Sequence, residues 1–275
     1  MSVSFNMIDN EKLLRDIYAS RQSGKILTGE LSSVQNFVTN SNKKIQCAVV
    51  FYGDIKVFIP ISEMNVSRED IKVLKSMAGA TIDFVIKELD VEKRQAAASR
   101  KIAMELRRKI ELPKYKVGDI INVRVTGIGL NNAIVEAFGI ETSIAKDDID
   151  WGYINSVNDV LQIGDIKPAL IKDLNIENEE IKVSLKEATE DPYLKNVSSL
   201  QKNELCLGIV TGVTDFGIFH EIKHKKGVTA LCPHPNWKNF SPKNGDENLI
   251  KISRIDINNR KIDANLQRPV RKARL

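Results

Sequence analysis

The chain has 275 residues, of which 42% are apolar and 28% charged, the balance of an ordinary soluble globular protein. No run of 18 apolar residues is present, which excludes a membrane-spanning helix, and three cysteines are too few for a disulfide framework. The first residues have neither the basic start nor the apolar run of a secretory signal, so we expect a cytoplasmic protein with reduced thiols.

The net charge of +5 is unevenly distributed along the chain. Residues 1–112, 113–199 and 200–275 carry net charges of +4, −6 and +7. This distribution favours a polyanionic ligand for the first and last thirds and disfavours one for the middle third, although charge can also drift without a functional reason.

The first predicted element is a helix at residues 8–20, where Leu13 and Ile17 share an apolar face and Asp9 or Asn10 can cap the start. Five strand-like runs follow it. A short helix with Ser67 as its N-cap is predicted between the third and fourth runs.

The same order of five short strands, with a helix or an irregular segment between the third and fourth, occurs three times. Each copy ends in a similar phrase, at residues 87–101, 172–186 and 253–267, with Asp90, Asn175 and Asp256 at the turn. Spacings of 85 and 81 residues suit a small domain with its own core. The sequence therefore predicts an all-β chain of three OB-fold barrels with short connecting helices: copy one (1–112), copy two (113–199) and copy three (200–275).

Two further expectations concern the side chains that face the barrel interiors and the linkers between the copies. Alternating apolar residues are expected to face the barrel interiors, namely Ile121, Val123 and Val125 in copy two and Leu205, Leu207 and Ile209 in copy three. Residues 98–112 are predicted to form a basic helix that ends at Pro113, and residues 187–202 form the second linker.

Several of these phrases resemble the RNA-binding repeat of ribosomal small-subunit protein one, here called the S-one domain. They are VFIPISEM in copy one, DIINVRVTGIG and EEIKVSLKEATEDPY in copy two, and GIVTGVTDFGIF in copy three. The resemblance covers nearly the whole chain. It implies OB-fold barrels that bind single-stranded RNA, with a role in translation or RNA handling.

Copy three carries the residues that match the family's stacking positions. Phe216 and Phe219 match its two rings, and we expect at least one to face solvent, with Gly217 between them letting a base approach the backbone. The family's third ring is a histidine. Here Pro233 stands at that position and His234 one residue later, so His234 can substitute only if a bulge redirects it.

Asp256 and Arg260 resemble the family's Asp-x-x-x-Arg, where the Arg can bind a phosphate or stack on a base. Plain turn chemistry explains Asp256 equally well. Lys223, Lys225 and Lys226 are expected to add a cationic rim, Arg94 is the matching Arg of copy one, and a basic tail contains Arg268, Arg271, Lys272 and Arg274.

The other two copies depart from the family pattern. Copy one lacks the Phe pair; Phe51, Tyr52 and Phe58 are alternative rings, with core packing favoured for Phe58. Copy two has lost every matching position and is not expected to bind RNA. Its replacements are Asn131, Ile134, Ala145, Asn175 and Glu179.

Enzymatic and metal-dependent functions are not expected, and no cofactor is implied. His220, His224 and His234 share copy three with Cys206 and Cys232, but no close-spaced Cys pair supports a zinc site. We expect non-catalytic binding of single-stranded RNA, mRNA above all, with the ribosome or another protein as a further partner of copies one and two. The alternatives are a protein-interaction adaptor, or a ribosome-docking mimic, in which RNA binding is incidental.

Overall fold

A computed structural model describes residues 3–38, 44–66, 71–238 and 240–271. The strands of copy one are β1 (Leu27–Val38), β2 (Lys44–Tyr52), β3 (Ile55–Pro60), β4 (Thr81–Asp90) and β5 (Gln95–Ser99). Those of copy two are β6 (Ile120–Ile128), β7 (Asn132–Ala137), β8 (Ile140–Ala145), β9 (Ile166–Asn175) and β10 (Glu180–Ser184). Those of copy three are β11 (Leu205–Thr214), β12 (Gly217–Ile222), β13 (Thr229–Cys232), β14 (Glu247–Asp256) and β15 (Lys261–Arg271). The helices are α1 (Val3–Ser23), α2 (Ile71–Ser76), α3 (Arg100–Glu111) and α4 (Tyr193–Val197).

The three copies share one strand order. Copy one closes as β1-β2-β3-β5-β4 and copy three as β11-β12-β13-β15-β14, while copy two forms the five-stranded sheet β10-β9-β6-β7-β8. In both closed barrels the third and fifth strands pair in parallel. The predicted all-β class with three OB-type units is therefore confirmed.

A bulge in the first strand of every copy bends that strand around its barrel. The register shifts lie between Leu31 and Ser33, between Val125 and Gly127, and between Val210 and Gly212. An extra residue on one strand increases its local twist, as closure of a small barrel requires.

The prediction of which side chains face the barrel interior is confirmed for β6 in copy two and is wrong for β11 in copy three. Ile121, Val123 and Val125 are buried, but Leu205 and Leu207 are exposed, and Cys206, Gly208 and Val210 point inward instead. The inward face of β11 packs against His220, which is buried on β12. A Cβ built at Gly208 would lie 2.8 Å from the His220 Cβ, so this inward position has room only for glycine.

The helices show smaller differences. α1 begins at Val3 rather than near Asp9, so Asp9 and Asn10 lie within it. α3 matches the predicted linker helix and is capped by Ser99, whose hydroxyl accepts a hydrogen bond from the Ile102 amide at 3.2 Å. The predicted cap at Ser67 lies outside the described residues. Among the described helices, none is both long and apolar enough to cross a membrane.

Contacts divide the chain into two compact units. Unit 1 contains Met1–Ala145 and Leu161–Ser184, and unit 2 contains Lys146–Val160 and Leu185–Leu275. The sheet of copy two thus packs with copy one, whereas two of its connecting segments pack with copy three. The boundaries at residues 112 and 199 remain predictions.

Buried ion pairs join the copies inside unit 1. The Arg100 guanidinium is fully buried, contacts Glu141 at 2.8 Å and Glu136 at 3.2 Å, and donates to the Met64 carbonyl at 2.8 Å. Burial by itself lowers the pKa of Arg100, but Glu141 and Glu136 outweigh it and raise that pKa.

Asp83 on β4 is the centre of a second group of buried ion pairs in unit 1. It pairs with Arg107 of α3 and with Arg124 of β6, and it accepts a hydrogen bond from Thr28 at 2.6 Å. Burial alone raises the pKa of Asp83, but these partners outweigh it and hold the pKa below its usual value.

Candidate nucleic-acid interface

The two predicted stacking rings form one surface on unit 2. Phe216 lies in the turn before β12 and is 68% exposed, and its ring meets that of Phe219 edge to face, with centroids 5.8 Å apart. On β12, Ile218, His220 and Ile222 point inward while Phe219 points outward. Alternation therefore holds, because Phe216 lies outside the strand. The expectation that at least one ring faces solvent is confirmed.

Gly217 has a different role from the one expected. It is buried, and a Cβ there would lie 2.7 Å from the Cys232 carbonyl oxygen and 2.8 Å from Leu231. The glycine therefore allows β13 to approach β12 closely, and it is not the open backbone position predicted for a base.

His234 lies at the end of the barrel that carries the Phe216 turn, here called the aromatic end, and it reaches this place without a bulge. β13 ends at Cys232, so strand alternation does not govern His234. Its Nε2 lies 2.6 Å from the Thr214 carbonyl at the end of β11, beside the turn that carries Phe216. Because a carbonyl only accepts, the Nε2 carries the hydrogen in this contact.

A row of outward side chains crosses the sheet from Phe219. Phe219 pairs with Leu231, Leu231 with Asp263, and Asp263 with Arg254. The Arg254 side chain is 72% exposed and lies 3.8 Å from Asp256. Sequence reasoning missed this cation, because nothing in the family motif marks it and the register of β14 decides its direction.

Four of the predicted cations, Lys223, Lys225, Lys226 and Arg260, lie at the opposite end of the barrel from Phe216. Because β13 and β15 are parallel, the turn before β15 and the loop before β13 share one end. The six residues of β12 separate this end from the Phe216 turn by about 17 Å. Sequence reasoning placed the rings and these cations in one site, and the structure does not bring them together.

Each of those cations has an intramolecular partner. Lys223 contacts Glu247 at 2.9 Å, Lys226 contacts Asp150 at 2.6 Å, and Lys225 donates to the Ser199 hydroxyl. Arg260 pairs with Asp191 and lies 4.3 Å from the ring centroid of Tyr193, the residue that begins α4. Asp150, Asp191 and Ser199 all come from the segments of copy two that belong to unit 2.

Asp256 is engaged in the turn itself. It accepts hydrogen bonds from the Asn259 amide at 3.1 Å and side chain at 3.0 Å, and these bonds hold the pKa of Asp256 below its usual value. Asp90 and Asn175 accept the same amide bond in their copies. The turn-chemistry interpretation thus accounts for all three residues.

Copy one has a different outer face. Arg94 contacts Asp54 at 2.9 Å. Phe58 is 8% exposed and packs in a hydrophobic core cluster with Cys47, Val49 and Phe37, separate from the main cluster of copy one. The core packing favoured for Phe58 is therefore confirmed. Its partner Phe37, 4.9 Å away between centroids, lies near the end of β1 and was not singled out from the sequence.

In copy two, the reversed charge at Glu179 has an intramolecular partner. Its carboxylate lies 2.8 Å from the Arg108 guanidinium of α3. In this copy, the residue at the position of the family's RNA-binding Arg forms an ion pair with the linker helix α3 instead.

The histidines and cysteines of copy three do not converge. His220 is fully buried, and its Nε2 lies 2.9 Å from the Asn248 side-chain nitrogen. Burial lowers the pKa of His220 to about 4 and raises that of the Cys232 thiol to about 12. Within the described part of the chain, no three His, Cys, Asp or Glu side chains are placed to hold a metal ion.

Comparison with known proteins supports the S-one resemblance. No protein-family model matches the chain. Small ribosomal subunit protein bS1 of Neisseria meningitidis serogroup B is 26% identical over 79% of this chain and 40% of that protein. The bS1 protein of Staphylococcus saprophyticus is 22% identical over 90% of this chain and 65% of that protein. These relatives support an S-one-like family for the chain.

One relative of this S-one-like chain carries an enzyme name. The 4-hydroxy-3-methylbut-2-enyl diphosphate reductase of Clostridium acetobutylicum is 29% identical over 66% of this chain, but the match covers only 29% of that protein. The chain thus spans less than half the length of the first curated relatives it matches. The bS1 relatives carry the name of a ribosomal protein, not of an enzyme.

Proposed function

We propose that this S-one-like protein binds single-stranded RNA, mRNA above all, through the aromatic end of unit 2, without catalysis and in the cytoplasm. The observation that carries the proposal is the edge-to-face pair of exposed Phe216 and half-buried, outward-facing Phe219 beside His234. Exposed rings stack on bases of any sequence, so such a surface binds unstructured RNA with little preference. A role in translation next to the ribosome follows from the S-one-like family.

A protein-interaction adaptor is the second candidate function. The observation that favours it is the apolar outer face of β11, where Leu205 is 58% and Leu207 36% exposed. Exposed aliphatic side chains in a row suit a protein partner better than RNA.

Replacing Phe219 by Leu should weaken binding of a short unstructured RNA by about 5- to 150-fold, the equivalent of the 1–3 kcal/mol that stacking contributes per base. Phe219→Tyr keeps a ring and should bind within about twofold of the unchanged protein. Fluorescence anisotropy of labelled RNA measures both variants, and thermal unfolding checks that both fold. Equal affinity of Phe219→Leu and the unchanged protein would favour the adaptor.

A shallow salt dependence is also expected. Each phosphate contact adds about 0.7 to the slope of log affinity against log salt on single strands. Because Lys223, Lys225, Lys226 and Arg260 already have partners, we expect a slope equivalent to two or three contacts, or about 2 at most. A slope of about 4 or more would mean that RNA displaces those partners.

A further inference from the structure

The segment Lys146–Val160 lies in copy two by sequence but belongs to unit 2 by its contacts. Asp150 pairs with Lys226 at 2.6 Å, and the Tyr153 backbone amide donates to the Glu221 carboxylate. A Cβ built at Gly152 would lie 3.0 Å from a Glu221 carboxylate oxygen, so the segment packs closely against this side chain.

Glu221, which contacts Tyr153, lies on the same outer face of β12 as the stacking ring of Phe219. Glu221 and Phe219 are two residues apart on β12 and both point outward, between inward Ile218, His220 and Ile222. Side chains two apart on a strand share a face. The segment with Trp151 and Tyr153 therefore contacts the barrel of copy three (barrel three) on the face that carries Phe219.

These two rings have the surroundings of a single-strand binding surface. Both are partly exposed. The Lys186 ammonium lies over the Trp151 ring, 5.5 Å from its centroid, and the Lys146 ammonium lies over the Tyr153 ring, 5.2 Å from its centroid. Lys186 also donates to the Asp147 carbonyl and Lys146 to the Asn155 carbonyl. Partly exposed rings with lysines beside them are the combination that single-stranded nucleic acid requires.

Two carboxylates close to these rings have partners within unit 2. Asp150 pairs with Lys226 and accepts a hydrogen bond from the Gly152 amide at 3.1 Å, and Glu221 accepts a hydrogen bond from the Tyr153 backbone amide. The ion pair of Asp150 reduces the repulsion of a phosphate backbone by that carboxylate.

We infer that Trp151 and Tyr153 continue the RNA-binding surface of barrel three, so that copy two supplies base-stacking positions to its neighbour. This inference rests on the proposed function and extends it. The bound strand runs from Phe216 and Phe219 along β12 to Tyr153 and Trp151. Copy two then takes part in binding even though its own barrel has lost the family's residues.

The test uses the full chain and a short uridine oligonucleotide. Tyr153 docks through its backbone, so Tyr153→Leu removes the ring and keeps the docking bond, while Tyr153→Phe is the matched control. We expect Tyr153→Leu to weaken binding about fivefold or more, and Tyr153→Phe to leave it unchanged. Trp151→Leu is the second ring variant, with the same expectation.

An optical readout comes from the two tryptophans of the chain. In a Trp237→Phe background, Trp151 emission should change when labelled-RNA anisotropy saturates, because a stacked base alters the indole environment. If Tyr153→Leu and Trp151→Leu both bind like the unchanged protein and the emission stays constant while Phe219→Leu weakens binding, the inference is overturned and the proposed function stands. If Phe219→Leu also binds normally, both are overturned.

Discussion

Replacing Arg100 by Ala should destabilise unit 1 by about 3–5 kcal/mol, the cost of removing one partner from a buried ion pair. Arg100 is fully buried, and its loss leaves Glu136, which is 4% exposed, without its cation. It also removes the hydrogen bond to the Met64 carbonyl. Since β7 and β8 of copy two carry the two glutamates, the change should loosen copy two from copy one.

The two tryptophans make this measurement specific. Trp151 and Trp237 both belong to unit 2, so tryptophan fluorescence follows unit 2 alone, while far-ultraviolet circular dichroism follows both units. In urea, Arg100→Ala should shift the dichroism transition and leave the fluorescence transition in place. Arg15, an exposed partner of Glu11, is the matched control, and Arg15→Ala should change stability by less than about 1 kcal/mol.

A double replacement distinguishes lost pairing from lost packing. Arg100→Met with Glu136→Gln removes both charges and keeps most of the volume, so it should recover much of the stability lost in Arg100→Ala. A dichroism transition of Arg100→Ala that coincides with that of the unchanged protein would contradict the role given to this pair.

Lowering the pH from about 6.5 to 4 should destabilise unit 2 by about 3 kcal/mol through His220. Burial lowers the pKa of this histidine from 6.5 to about 4 in the folded chain. Between these values the unfolded chain binds a proton that the folded chain does not. The contribution is therefore fully present above pH 6.5 and is lost as the pH falls to 4.

Neighbouring groups titrate in the same range, so the contribution of His220 must be measured as a difference. His220→Gln should flatten the fall in stability of unit 2 between pH 6.5 and 4, followed by tryptophan fluorescence in urea at each pH. The matched control is His224→Gln, since His224 is exposed in the loop before β13. The assignment is wrong if His220→Gln and the unchanged protein lose stability in parallel.

The fold could be predicted from the sequence because the same pattern of strands occurs three times along the chain. Three copies of one strand pattern, at spacings of 85 and 81 residues, predict three five-stranded domains, and the structure has three five-stranded sheets, two of which close into barrels. The direction of β11 could not be predicted, since Leu205, Cys206 and Leu207 are all apolar and periodicity cannot choose between its faces. In the structure Gly208, which lies against buried His220, is one of the inward residues of β11.

The candidate site was predictable in part. Phe216 and Phe219 match a short motif, and their exposure follows from the turn and the alternation of β12. The partners of Arg260 and Lys226 could not be predicted, because Asp191 and Asp150 are 69 and 76 residues away along the chain. Sequence counts these lysines and arginines as free cations, whereas the fold pairs them within unit 2.

Ultraviolet crosslinking of the full chain to a short uridine oligonucleotide tests the central claim most directly. Mapping the crosslinked peptides by mass spectrometry should place the RNA on the turn and strand that carry Phe216 and Phe219, and beside His234. Crosslinks confined to residues 1–145, with none on residues 214–236, would contradict the assignment of RNA binding to the aromatic end of unit 2.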